Sequence, residues 1–145
     1  MKIKVNPGIG FQEIEVVINC SEEDAMVKNI VRALTTINAK IPCRKQGELF
    51  QISTNDIYYI DSVDRKTFLY TDSEVYETDK RLYELEESLK NLSFFRVSKS
   101  TILNLKRVQS LRPELGARLI ATLENDEQIM ISRQYAAVIK TTLEV

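Results

Sequence analysis

The densest group of chemically capable side chains in this 145-residue chain is a run of cations. Arg96, Lys99, Lys106, Arg107, Arg112 and Arg118 are opposed over residues 94–118 by Glu114 alone, a local charge of +5. Such a run suits a phosphate backbone, because Lys and Arg displace the counterions condensed on it. It suits a solvated strand face equally well, and charge alone leaves both readings open. The net charge of −1 hides this asymmetry: residues 1–40 are neutral, 41–90 carry −4 and 91–145 carry +3.

Other chemistries are poorly supplied. The chain has no histidine, which removes Ser-His-Asp and Cys-His catalysis, histidine metal ligation and histidine phosphotransfer. Its four glycines, Gly8, Gly10, Gly47 and Gly116, form neither a dinucleotide fingerprint nor a phosphate loop. Cys20 and Cys43 are far apart and read as reduced, partly buried thiols. No spacing singles out a carboxylate or lysine. The expectation is therefore a protein that is not an enzyme and uses no cofactor or metal. No apolar run reaches the ~20 residues a bilayer requires, and the Met1–Pro7 start lacks signal-peptide character, so a cytoplasmic location is expected.

The most informative segment runs from Phe94 to Leu105, FFRVSKSTILNL. Its pattern predicts a strand ending in the polar cluster Ser98-Lys99-Ser100-Thr101, then a short apolar pair and Asn104, a turn former. One long cation and several hydroxyls then sit at the tip of a rigid element, where they can meet phosphates and base edges.

Elements able to hold such a tip are legible around it. Phe11–Asn19 alternates as a strand, and an amphipathic helix over roughly 22–37 follows, opened by Ser21 and closed before Pro42. Beyond Gly47 the pattern changes to short β-branched and aromatic runs. Strands are predicted at Leu49–Ser53, Asp56–Asp61, Lys66–Thr71, Glu74–Thr78, Phe94–Ser98, Arg107–Arg112, Ala117–Leu123 and Gln128–Ser132. Pro113-Glu114-Leu115-Gly116 is the expected loop of one hairpin. Helices are predicted after Thr78, whose hydroxyl can cap the first, with Leu82, Leu85, Leu89 and Leu92 facing inward, and over Gln134–Leu143.

The Phe94–Leu105 segment resembles the signature of the LytTR DNA-binding family, in which Phe-Phe-Arg leads through a polar pair and a Ser to apolar residues and an Asn. Asp56–Asp61 (DIYYID), Thr78 with Leu85–Leu89 (LEESL), and Ile131–Tyr135 (ISRQY) resemble further family motifs in the same order. About 100 residues are covered, from near Arg44 to the end. The resemblance implies a mainly β (α+β) fold: an antiparallel LytTR-type scaffold with short helices over 44–145, preceded by a strand–helix extension over 1–43. It also implies a transcriptional regulator that reads successive major grooves of double-stranded DNA, at direct repeats, with loops rather than a recognition helix. The matching positions are Arg65, Lys66 and Thr67 in one loop, Lys99 and Ser100 in the signature, and Arg133 at the final corner. Asn104 reads as a structural turn residue. Many members carry His where Ser98 stands, and many carry an N-terminal receiver domain for which 1–43 is too short. A homodimer and a membrane-protein regulator remain open as partners. The alternative is an interaction or ligand-sensing module using the basic run or the N-terminal unit.

Overall fold

Ile102 and Leu103 are neighbours on one strand, point to opposite faces of it, and are both fully buried. A strand covered on both faces requires a layer on each side, and that sets the architecture. The computed structural model describes residues 1–143, with residues 36–38 described in backbone only. In chain order the elements are α1 (Ala25–Asn38), β1 (Lys40–Lys45), β2 (Glu48–Ser53), β3 (Tyr59–Val63), β4 (Lys66–Tyr70) and β5 (Val75–Thr78). There follow α2 (Leu82–Leu89), β6 (Phe94–Arg96), β7 (Thr101–Asn104), β8 (Val108–Glu114), β9 (Arg118–Leu123), β10 (Gln128–Ile131) and α3 (Arg133–Thr142). The strands form a seven-stranded antiparallel sheet in the order β2-β1-β5-β4-β3-β7-β6 and a three-stranded antiparallel sheet in the order β10-β9-β8. This is the mainly antiparallel β architecture expected.

Each layer has its own core. Leu82, Leu85 and Leu89 of α2, with Leu92, pack on Ile41, Ile57, Ile60, Leu69 and Ile102. On the other face Val97, Leu103 and Tyr58 meet Leu119, Ala121, Leu123 and Ile131 of the small sheet and Ala136 and Ile139 of α3. The leucines of α2 recur at helical spacing, so one stripe of the helix is buried while Glu84, Glu86 and Glu87 remain exposed. Tyr59 and Tyr70, opposite one another on β3 and β4, stack at 4.3 Å. Burial and a hydrogen bond to Glu127 push the Tyr59 hydroxyl well above its ordinary pKa.

Several expectations are corrected. Residues 11–19 form no strand, so the N-terminal unit is an irregular segment followed by α1 rather than a strand–helix pair. A strand needs a neighbour to satisfy its backbone groups, and among the described residues the alternating run 11–19 has none. The helix opens at Asp24, whose carboxylate accepts from the Val27 amide at 3.0 Å, not at Ser21. Pro42 does not merely stop a helix but lies within β1, where β1 meets β5 only at Arg44 opposite Glu77 and a missing donor is tolerated. The expected boundary after residue 43 thus falls inside a strand of the main sheet. Thr78 does not cap α2; its hydroxyl donates to the Pro42 carbonyl at 2.9 Å, and Arg81 precedes the helix. β8 runs on through Pro113 to Glu114, leaving Leu115, Gly116 and Ala117 as the loop. Cys43 is buried, as expected, but Cys20 is exposed.

Candidate nucleic-acid interface

Lys99 lies at the apex of a three-residue loop, Ser98-Lys99-Ser100, closed by the Val97 amide donating to the Thr101 carbonyl at 3.0 Å. Arg96 shapes this loop from beneath. Its guanidinium donates to the Ser98 carbonyl at 2.9 Å and the Lys99 carbonyl at 2.5 Å, and pairs with Glu86 of α2. The Ser98 hydroxyl accepts from the Ser100 amide at 3.2 Å. Arg96 is therefore a positioning residue, and Lys99 is left exposed with no ion pair among the described residues. Arg96→Ala is expected to release two carbonyls and the Glu86 carboxylate to water, a loss of about 1–2 kcal/mol in the loop's native form. Backbone relaxation should report faster motion at residues 98–100 while α3 is unchanged, and Arg96→Lys, lacking the planar fork, should not restore rigidity.

Two backbone hydrogen bonds extend this loop into a rim. The Ser62 amide donates to the Ser100 carbonyl at 2.9 Å, tying the loop to the end of β3. The Ser132 amide donates to the Val97 carbonyl at 2.9 Å, tying it to the corner where α3 begins at Arg133. Beyond Ser62 the chain turns at Asp64-Arg65, between Val63 and its partner Lys66. Both turn residues adopt the left-handed region, Asp64 at φ 51° and Arg65 at φ 67°, as a two-residue hairpin of this twist requires. Glycine or asparagine fills such positions most easily, so an arginine there is held against its conformational preference. Arg65, Lys66, Lys99 and Arg133 are all exposed, and Ser100 is half-buried.

Thr67 is different. It pairs with Thr78 inside the sheet, is 4 % exposed, and drops out of any surface site. The cation that sequence reading missed is Arg81, exposed at the start of α2, whose Nη1 donates to the Arg65 carbonyl at 3.5 Å. Its place beside the β3–β4 turn depends on long-range packing, and nothing local signals it.

The basic run over 94–118 does not form one stripe. Arg107 pairs with Glu124, donates to the Asn55 carbonyl and lies over the Tyr58 ring at 5.2 Å. Arg118 donates to the Leu115 carbonyl of its own hairpin. With Arg96 also engaged, half of these cations serve the fold. The cationic rim is drawn instead from three distant parts of the chain.

Residues 47–144 match the family of the LytTr DNA-binding domain. The chain belongs to the LytTR family. Sensory transduction protein LytT of Enterococcus faecalis is 26 % identical over 103 residues, covering 71 % of this chain and 43 % of that protein. Its Bacillus cereus namesake is 30 % identical over 94 residues, covering 65 % and 38 %. Transcriptional regulatory protein YpdB of Escherichia coli K12 is 29 % identical over 101 residues, covering 69 % and 41 %. The LytTR chain thus spans about two fifths of the length of these curated relatives. A solved LytTr DNA-binding domain from Bacillus cereus superposes with a TM-score of 0.70 at 19 % identity, covering 74 % of this chain and 99 % of that one, and shares the fold. No helix among the described residues is long and apolar enough to cross a membrane.

Proposed function

We propose that this LytTR chain is a sequence-specific transcriptional regulator that presents Arg65, Lys66, Lys99, Ser100 and Arg133 to successive major grooves of duplex DNA. One observation supports this reading above the others: the bonds from Ser62 to Ser100 and from Ser132 to Val97 gather three loops onto one rim. Loops held that way need little ordering on binding, so less of the interaction free energy is lost to entropy. Arg133 forks onto guanine O6 and N7, Lys99 serves as a point charge at the groove floor or edge, and Arg65 and Lys66 hold the phosphate backbone. Ser100 contributes a hydroxyl that fixes register on the backbone. Arg81, beside the β3–β4 turn, adds a further phosphate contact.

Footprinting with purified protein across its own promoter tests the reading. Protection of two or more stretches about one helical turn apart is the expected result. Failure to bind duplex DNA even at low salt, or binding at physiological salt that is indifferent to sequence, would overturn it. Lys66→Ala offers a quantitative check, because loss of one phosphate contact weakens all sequences alike. The plot of log affinity against log salt should flatten by about one. An unchanged slope would remove Lys66 from the interface.

A further inference from the structure

The first 24 residues form no helix or strand, yet they hold two alternating runs of opposite sign, Met1-Lys2-Ile3-Lys4-Val5 and Glu13-Ile14-Glu15-Val16. Extended chains place alternate residues on opposite faces. Laid antiparallel with Lys2 opposite Glu15, Ile3 opposite Ile14 and Lys4 opposite Glu13, the two runs put both ion pairs on one face. Met1, Ile3, Val5, Ile14 and Val16 then share the other. Among the described residues the two runs make no strand pairing. Their apolar side chains stand in solvent, Ile3 at 82 % and Ile14 at 95 % exposure. Helix α1 carries a further incompletely covered stripe: Val27, Ile30 and Leu34 are half-buried, Met26 and Val31 are exposed, and none of its described side chains reaches a core.

We propose that residues 1–38 are a self-association arm, with the Met1–Val5 run of one copy paired to the Glu13–Val16 run of a second copy. The charge pattern argues for a second copy as the occupant. In a two-fold dimer residue i meets j and j meets i, so a chain carrying one basic and one acidic run satisfies both pairings with a single operation. A partner of uniform sign complements only one run. A hairpin closed within one chain would be two strands with an uncovered apolar face, which is marginal in water. Two copies bring four runs and two amphipathic helices to cover that face. A stable interface takes on the order of 20–30 residues a side, within the reach of this arm.

The test is the mass of the full chain in solution without DNA, so its result does not depend on the DNA-binding proposal. Wild-type protein is expected to be a dimer by sedimentation equilibrium. Lys2→Glu with Lys4→Glu makes both runs acidic, and Glu13→Lys with Glu15→Lys makes both basic; each double variant should associate at least tenfold more weakly. Mixed in equal amounts, the two should form a heterodimer, because each run then meets its opposite in the other chain. All four positions are exposed, and circular dichroism checks that both variants remain folded. A monomeric wild type, a variant that dimerises as the wild type does, or a mixture that stays monomeric would each overturn the proposal. The last of these would return the pairing to a single chain.

Discussion

Replacing Arg133 with alanine is expected to lower discrimination at one base position by about 1–3 kcal/mol, roughly 5- to 150-fold in relative affinity. The effect follows from where the residue sits. Arg133 is the first residue of α3, and the Ser132 amide before it is held by the Val97 carbonyl, so the side chain leaves from a fixed corner. In the proposed complex, a guanidinium launched from a fixed point presents two parallel donors to a guanine edge. Arg133→Lys is the sharper experiment. It keeps the charge and so should keep most of the affinity for unrelated duplex, yet it loses the fork and with it the preference. Binding measured on the promoter site, on each single-base variant of it and on unrelated duplex separates the two contributions. Equal losses on every sequence would assign Arg133 to the phosphates instead.

The largest effect on stability is expected at Asn104. This side chain is 1 % exposed, donates from Nδ2 to the Ile57 carbonyl at 2.8 Å and accepts at Oδ1 from the Lys106 amide at 3.1 Å. It thereby satisfies two backbone groups at the end of β7, and the Asn104 amide itself donates to the Tyr58 carbonyl at 3.0 Å. Alanine would leave the Ile57 carbonyl without its donor in the interior, a cost of about 2–3 kcal/mol. That corresponds to a fall in Tm of roughly 5–15 °C. Aspartate keeps the acceptor but buries a charge and loses the donor, so Asn104→Asp should be worse than Asn104→Ala. Calorimetry of the two variants gives the order; the reverse order would mean that keeping the acceptor for the Lys106 amide outweighs burying a charge, and a wild-type Tm for Asn104→Ala would show the Nδ2 contact to be dispensable.

Much of the architecture is readable from local pattern because it is locally determined. The leucines at 82, 85, 89 and 92 announce α2, and the alternation in β9 places Leu119, Ala121 and Leu123 inward, as observed. What pattern misses is whatever depends on a distant neighbour. The run 11–19 alternates as well as any strand but finds no partner among the described residues, whereas Thr101–Asn104, read as the end of a polar cluster, an apolar pair and a turn, is a strand because two layers cover it. The rim has the same character. Lys99 and Arg133 carry local motifs, but that they share an edge follows from the sheet order and from Val97 meeting Ser132. Thr67 was avoidable: in β4 the side chains alternate, so with Lys66 outside, Thr67 must face in.

The placement of Ile102 and Leu103 back to back has a consequence for how the domain comes apart. Neither the α2 side nor the α3 side can melt alone without wetting one flank of the strand they both lean on. Two hydrophobic interiors therefore behave as a single cooperative unit. The turns that carry Lys99 and Arg65 are anchored to that unit at their bases, so loss of either interior would also release the rim.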